Sequence, residues 1–274
     1  MSQLFEKLRL RSLELPNRII IAPMCQYSAE DGNAGDWHMI HLGNLALSGA
    51  GMLILEATAV CPEGRISPAD LGLYSDANEA ALGRVIAAIG RFSSMPIAVQ
   101  LGHAGRKGSS QAPWDGGQQI APDAPGGWQA LAPSALPHGA HEIPPHAMDK
   151  ADLLALRQGF AEAARRAARI GIRGIEIHAA HGYLLHQFLS PLANQRADEY
   201  GGSLENRMRI VLEIFEDVRA AFPPDLPVWV RISATDWVEG GWDVADAITL
   251  SAALKARGCD AIHVSSGGVS SKQA

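Results

Sequence analysis

Residues 150–178, KADLLALRQGFAEAARRAARIGIRGIEIH, contain a long helical pattern followed by a short apolar strand. Alanines and leucines recur at helical spacing as far as Ile170, and the aliphatic run that follows begins at Gly174. Near-continuous apolar strands are typical of a parallel sheet covered on both faces, and parallel strands need crossover helices between them. The segment therefore predicts an α/β fold.

The same alternation of strand and helix continues in both directions along the chain. We expect strands at residues 19–22, 52–56, 97–101, 174–178, 228–232 and 261–264. We expect helices at residues 39–48, 78–91, 150–170, 204–222 and 244–257. Ser203 stands where the helix at 204–222 needs an N-cap, since its hydroxyl can accept from the first free backbone amides.

A (β/α)8 TIM barrel is favoured over a doubly wound sheet. No G-x-G-x-x-G follows the first strand, as a dinucleotide-binding sheet requires. Polar or unusual residues instead follow successive strands: Met24 and Cys25, Thr58, Gly102 and His103, His178 and His181, Ser233 and Asp236, and Ser265 and Ser266. In a barrel the carboxyl ends of all strands ring one mouth, where active sites lie.

We expect residues 1–274 to form a single barrel domain that contains only about six of the eight βα units, with its C-terminal part missing. The segment at about 102–148, rich in Gly, Pro and Trp, is interpreted as an insertion that caps the site.

Composition narrows the class of protein. Of 274 residues, 47% are hydrophobic and 19% charged, which is typical of a folded chain with a large core. The net charge of −6 argues against nucleic acid and anionic membranes as partners. Residues 42–55 are too short an apolar run for a membrane span, and no signal peptide is seen. Three cysteines match no disulfide or zinc pattern, so we expect reduced thiols in a cytoplasmic protein.

His178 and His181 are the most informative pair in the sequence. Their spacing at the end of a strand can direct both imidazoles to one point, which could hold a metal ion or an oxygen atom. We expect no metal, because the first strand ends in Pro23-Met24-Cys25 without the histidines typical of barrel hydrolases. Core histidines satisfied by hydrogen bonds are the plain alternative, but Tyr183 close by favours a site that binds a substrate oxygen.

Several longer motifs resemble the old yellow enzymes, in particular their thermophilic-like branch of FMN-dependent ene reductases. The motifs occur in family order: residues 17–19, 22–27, 56–59, 100–107, 178–191 and 198–207. The resemblance runs from Leu4 to the last residue, although the family's seventh and eighth βα units, which hold the flavin phosphate, are absent. It implies FMN as bound cofactor, NADPH as reductant and a homo-oligomer for the full-length form.

The resemblance also implies which residues contact the flavin: Ala22, Pro23, Met24, Cys25, Ala57, Gln100 and Arg231. From the residues alone, Cys25 is equally a buried structural thiol, and Gln100 a core amide bonded to backbone. Arg231, inside a barrel, needs an anion, which either the reduced flavin or a structural carboxylate supplies.

An activity follows from the same resemblance. His178 and His181 would bind the carbonyl or nitro oxygen of an α,β-unsaturated substrate, as an oxyanion hole does, and Tyr183 would protonate its α carbon. Tyr27 would contact the substrate, or is otherwise a half-buried loop aromatic. For His38, His41, His103, Arg106 and Lys107 we expect only packing or loop hydrogen bonds.

Two alternatives remain open. Related multi-domain reductases carry an iron–sulfur cluster, which needs clustered cysteines that this sequence does not have. The second alternative is a non-catalytic, flavin-free barrel fragment that acts as a scaffold or as part of an assembly.

Overall fold

The computed structural model describes residues 2–273. Its strands are β1 (Leu8–Leu10), β2 (Leu13–Leu15), β3 (Ile20–Ile21), β4 (Met52–Ala59), β5 (Ile97–Gly102), β6 (Leu131–Ala132), β7 (His146–Ala147), β8 (Ile175–Ala179), β9 (Val228–Ser233) and β10 (Ile262–Ser265). Its helices are α1 (Asp36–Ala46), α2 (Asp76–Ile89), α3 (Lys150–Arg169), α4 (Leu184–Leu189), α5 (Leu204–Ala221) and α6 (Val244–Ala256), with short 3-10 turns between them.

Six strands form one parallel sheet in the order β3-β4-β5-β8-β9-β10. These are the six strands that the sequence predicts, and the five predicted helices occur between them, so the α/β fold is confirmed. Sequence order and sheet order agree, because each long helix returns the chain to begin the next neighbouring strand.

The alternation of side chains along β8 separates the core from the site. Ile175 and Ile177 face the helices, where Phe160 of α3 and Phe215 of α5 are completely buried. Residues between them point to the opposite, inner face of the sheet, because successive side chains in a strand alternate. Glu176 is therefore directed to the inner face.

An antiparallel hairpin, β1 with β2, closes the lower end of the inner face. Leu13 and Leu15 pack there against Met52, Ala98 and Trp229 in a small cluster separate from the main core. This hairpin is absent from the predicted strands, because each of its two strands has only three residues and therefore too short a pattern to recognise. This apolar cluster fills the inner face at the amino ends of the strands, so the polar side chains are found at the carboxyl ends.

The segment between β5 and α3 crosses the polar end of the sheet. It contains the short parallel pair β6 and β7, and Arg196 donates to the carbonyl oxygens of Pro133 and Met148 at its far end. Trp114, exposed in this segment, contacts Tyr27 edge to face with ring centroids 5.4 Å apart. The predicted insertion therefore lies beside the loop that follows β3.

None of the helices in residues 2–273 is long and apolar enough to cross a membrane.

Ser203 caps α5 as predicted, its hydroxyl accepting from Asn206 N at 3.3 Å. We expect Ser203→Ala to lower the free energy of unfolding by about 1 kcal/mol, since it removes a cap acceptor. Ser203→Asp keeps the acceptor and is the control. Urea denaturation measures both, and equal stability of the Ala and Asp variants would contradict this role.

Candidate active site

The structure brings His178, His181 and Tyr183 together at the end of β8. The imidazole of His178 lies between the other two rings, with centroids 5.2 Å from His181 and 4.9 Å from Tyr183, edge to face in both cases. Nδ1 of His178 accepts from Ala180 N at 3.3 Å, so its proton is on Nε2. Nε2 of His181 lies 2.6 Å from the hydroxyl of Ser265 on β10, which leaves Nδ1 as its other polar atom.

The turn that presents these rings is fixed by bonds from three other segments. His181 has φ +59° and Gly182 φ +72°, both in the left-handed region. His181 N donates to Ser233 Oγ at 3.0 Å, and Gly182 N donates to His186 Nδ1 at 2.9 Å. Lys107 Nζ donates to the carbonyl oxygen of His181 at 3.0 Å. A two-residue left-handed turn is costly, and these bonds compensate for that cost.

A buried pair supports the turn from behind. His186 Nε2 lies 2.9 Å from Asp236 Oδ1, and both side chains are fully buried. Ser190 donates to the other carboxylate oxygen at 2.6 Å. Burial alone raises the pKa of Asp236, but the contacts with His186 and Ser190 hold that pKa below its ordinary value. Because Nδ1 of His186 accepts from Gly182 N, its proton is on Nε2, the atom that faces the carboxylate of Asp236.

Burial sets the protonation states of the candidate catalytic groups. Desolvation, together with nearby positive charges, lowers the pKa of His181 to about 4 and lowers that of His178 well below its ordinary value. Desolvation also raises the pKa of Tyr183 well above its ordinary value. At neutral pH the site therefore presents two neutral imidazoles and a protonated phenol, all of which can donate a hydrogen bond.

The loop after β3 carries Cys25 and Tyr27 to the same region. Gln26 N donates to the buried carboxylate of Glu56 at 2.8 Å, and His38 lies 3.3 Å from the other oxygen of that carboxylate. Tyr27 has a left-handed φ of +48°. Burial, followed by nearby acidic groups, raises the pKa of Cys25, so its thiol stays protonated.

Three of the expected flavin contacts lie on the inner face of the sheet, on strands β4, β5 and β9. Ala57 is aligned with Gln100 across β4 and β5, and Arg231 is aligned with His178 across β9 and β8. Gln100 Nε2 donates to Glu176 Oε1 at 2.7 Å. Arg231 forms no hydrogen bond or ion pair with any of residues 2–273, and its Nε is buried without a partner. A guanidinium without a protein partner inside the fold is unfavourable, so Arg231 requires an anion or a ligand rich in carbonyl groups.

The remaining expected contacts lie at the edge of the sheet. Ala22 lines a cavity of about 230 Å³ together with Glu176 and His263. Pro23 is buried, whereas the side chain of Met24 is 64% exposed. The structure therefore places Ala22 beside the inner face and leaves Met24 on the open side of the loop.

The hydrogen-bonding roles expected for neighbouring polar residues are confirmed for His103 and Arg106. Nδ1 of His103 accepts from Gly105 N at 3.0 Å, and Arg106 donates to Val269 O at 2.7 Å. Lys107 makes such bonds too, but its Nζ also lies 5.1 Å from the centroid of the Tyr183 ring. Nothing in the sequence indicated this contact, because Lys107 lies five residues beyond the end of β5, in the 3-10 turn Gly105–Lys107.

Asp70 is a site neighbour with no signal in the sequence. It is buried, and it lines a small cavity with His178 and Tyr183. Burial is the largest cause that raises its pKa to about 7, although hydrogen bonds from Ser67 and Ile66 oppose the shift.

Comparisons with known proteins show the family to which the chain belongs. The sequence model of the NADH:flavin oxidoreductase / NADH oxidase family matches residues 3–271. An NADH:flavin oxidoreductase of Gibberella zeae is 46% identical over 100% of this chain and 69% of its own length. An NADPH dehydrogenase of Geobacillus sp. (strain WCH70) is 43% identical over 98% of this chain and 74% of its own length.

Solved structures show the same fold. Morphinone reductase in complex with tetrahydroNAD has a TM-score of 0.81 and 33% identity, over 96% of this chain and 74% of that one. Old yellow enzyme from Pichia sp. AKU4542 has a TM-score of 0.82 and 26% identity, over 96% and 71%. The chain therefore belongs to the NADH:flavin oxidoreductase / NADH oxidase family.

It is an FMN-dependent oxidoreductase of the old yellow enzyme type, reduced by a nicotinamide nucleotide. The described residues fit FMN. The unpartnered Arg231 suits a ring on which negative charge accumulates, and the side chain of Gln100 lies on the same inner face to meet a pyrimidine edge.

Gly182 is required by both conformation and space. A Cβ there would lie 2.0 Å from Gly268 O, whereas at Gly202, which has a similar φ of +76°, it would meet nothing within 4 Å. We expect Gly202→Ala to cost about 1 kcal/mol of unfolding free energy from strain, and Gly182→Ala to cost clearly more. Denaturant titration compares the two, and equal losses would show that the approach of Gly268 is unimportant.

Proposed function

We propose that the protein is an ene reductase that reduces the activated C=C bond of α,β-unsaturated carbonyl or nitro compounds with NAD(P)H. The observation that carries this proposal is the neutral pair His178 and His181 with the protonated Tyr183, on the inner face beside the unpartnered Arg231. A neutral imidazole can donate a hydrogen bond to an oxygen that becomes negative during the reaction, and it carries no charge of its own before the substrate binds. A flavin-free scaffold would gain nothing from such a costly arrangement.

His178 and His181 bind the activating oxygen of the substrate. His178 donates from Nε2, because its Nδ1 accepts from Ala180. For His181 the free nitrogen is Nδ1, which carries the proton when the Ser265 hydroxyl donates to Nε2. Both donors draw electron density from the double bond and stabilise the developing enolate. The chemistry that bound FMN would supply at this site is transfer of a hydride from the nicotinamide to the β carbon.

Tyr183 provides the proton for the α carbon of the substrate. Its raised pKa keeps the phenol protonated across the neutral range, so the acid form is always present. Lys107, with Nζ 5.1 Å from the ring centroid, stabilises the phenolate that remains after transfer. Tyr27, on the loop after β3, contacts the substrate from the side of Trp114.

The rest of the assignment concerns the cofactor and the architecture. Flavin contacts are proposed for Ala22, Pro23, Met24, Cys25, Ala57, Gln100 and Arg231. The six-stranded parallel sheet is proposed to correspond to six strands of a (β/α)8 barrel in a single domain, capped by the insertion at about 102–148. The homo-oligomer expected of the full-length form stays a prediction.

The oxygen-binding pair can be tested with a phenol. Para-hydroxybenzaldehyde is expected to bind as its phenolate against His178 and His181 and to give a long-wavelength charge-transfer band with oxidised flavin. Replacing both histidines by Ala removes the two donors, so the band and most turnover should be lost. His146→Ala, at an exposed histidine bonded to Asp152, is the control. Undiminished phenol binding in the double variant would remove the pair from the mechanism.

Tyr183→Phe separates the two half-reactions. The variant keeps the ring but has no proton donor, so reduction of the flavin by NADPH should be nearly unchanged while reduction of the alkene slows by about 10²-fold or more. Stopped-flow spectroscopy follows each half-reaction separately. Tyr200→Phe, at a tyrosine that bonds to Glu213, is the matched control. Equal slowing of both half-reactions would contradict the role of Tyr183.

A further inference from the structure

Glu176 is a charged residue for which the proposed reaction has no use. It stands in the middle of β8, between Ile175 and Ile177, and it is 0% exposed. It lies two residues before His178 and therefore on the same inner face, one level deeper. Burying a carboxylate is unfavourable unless its oxygens accept good hydrogen bonds. The hydrogen bonds of Glu176 must therefore offset the cost of burying its carboxylate.

The two carboxylate oxygens have different partners. Oε1 accepts from Gln100 Nε2 at 2.7 Å. Oε2 accepts from Trp229 Nε1 at 2.6 Å and from His263 Nδ1 at 2.8 Å. Parallel register brings three of these residues side by side, since Gln100 is aligned with Glu176 and Glu176 with Trp229. Neighbouring strands thus hold the acceptor and two of its donors in fixed positions.

This arrangement determines which end of the Gln100 amide faces which way. An indole N–H can only donate, so Oε2 of Glu176 is an acceptor, and Oε1, as the second oxygen of the carboxylate, accepts from the Gln100 amide. The amino end of the Gln100 amide is therefore bound to Glu176, and its carbonyl oxygen is turned away. Within residues 2–273 that oxygen accepts no hydrogen bond, which leaves it available to a ligand.

We propose that Glu176 is a positioning residue that holds the Gln100 amide with its carbonyl oxygen toward the flavin, where it accepts from the N3–H of the pyrimidine ring. This inference rests on the proposed contact between Gln100 and FMN. Without Glu176, the amide can turn by half a rotation and present its NH₂ group to N3–H, donor against donor. Recognition of the flavin edge thus depends on a residue one layer below it.

Glu176→Gln is the decisive variant, because Trp229 dictates its outcome. The carbonyl oxygen of the new amide must accept from Trp229, so its NH₂ group faces Gln100. Gln100 then turns its own carbonyl oxygen inward and its NH₂ group toward the flavin. Glu176→Asp keeps an acceptor-only carboxylate and should preserve the orientation of Gln100. Trp229→Phe removes only a donor to Oε2 and is the control for damage to packing.

The measurement is the dissociation constant of FMN and of N3-methyl-FMN, from flavin fluorescence on titration into the apoprotein. Wild type should prefer FMN, because the methyl group removes the N3–H donor. Glu176→Gln should weaken FMN binding by about tenfold and abolish the preference, as expected for one unsatisfied buried hydrogen-bonding group. Glu176→Asp and Trp229→Phe should retain the preference. The double variant Gln100→Leu with Glu176→Gln should bind FMN no more weakly than Gln100→Leu alone.

The outcomes separate this inference from the proposed function. If Gln100→Leu weakens FMN binding but Glu176→Gln keeps the preference for FMN, the role of Glu176 is overturned and the contact of Gln100 stands. If Gln100→Leu has no effect on FMN binding, both are overturned. A loss of preference in Trp229→Phe or Glu176→Asp equal to that in Glu176→Gln would show that Glu176 acts through packing alone. Should Glu176→Gln fail to fold, the Asp and Phe variants still decide, because the inference requires both to prefer FMN.

Discussion

The parallel register of β8 with its two neighbours is the constraint on which the site depends. It aligns Glu176 with Gln100 on one side and with Trp229 on the other, and it places His178 beside Arg231. A shift of one residue would direct all of these polar side chains into the packed face beneath the helices. Ile175 and Ile177 prevent such a shift, because their burial against the helices is favourable only in the observed register.

Electrostatics in the site follow from what surrounds each group. Burial, followed by nearby positive charges, lowers the pKa of His178 and of His181, so both are neutral at neutral pH, and Arg231 has no counter-ion among residues 2–273. One layer deeper, Glu176 is surrounded by donors. The upper layer of the site, with His178, His181 and Arg231, therefore contains mainly donors and suits a substrate or cofactor that gains negative charge. The layer below it contains an acceptor, Glu176, which holds the donors around it in place.

The long helices and strands can be predicted from the sequence because their hydrophobic periodicity is strong. Short elements cannot, because only their packing against the rest of the fold determines their conformation. Helix α4, at Leu184–Leu189, is fully buried and only six residues long, so it has no amphipathic pattern. Motifs in the sequence indicated His178, His181 and Tyr183, and the structure groups them. Glu176 and Asp70 escaped notice, since a single acidic residue in a strand or loop reveals nothing about its partners until neighbouring segments are placed.

The bonds of Lys107 and Arg106 also bear on the order in which the molecule folds. Lys107 donates to Gly268 O and Arg106 to Val269 O, across 161 and 163 residues of chain. Contacts of such sequence separation form late, because the entropy of closing a long loop must be lost first. During synthesis, β3 to β9 are available to pair before the segment after β10 leaves the ribosome. Lys107, which also bonds to the carbonyl oxygen of His181, gains its contact with Gly268 O only then, so this support of the turn forms after the strands on either side have paired.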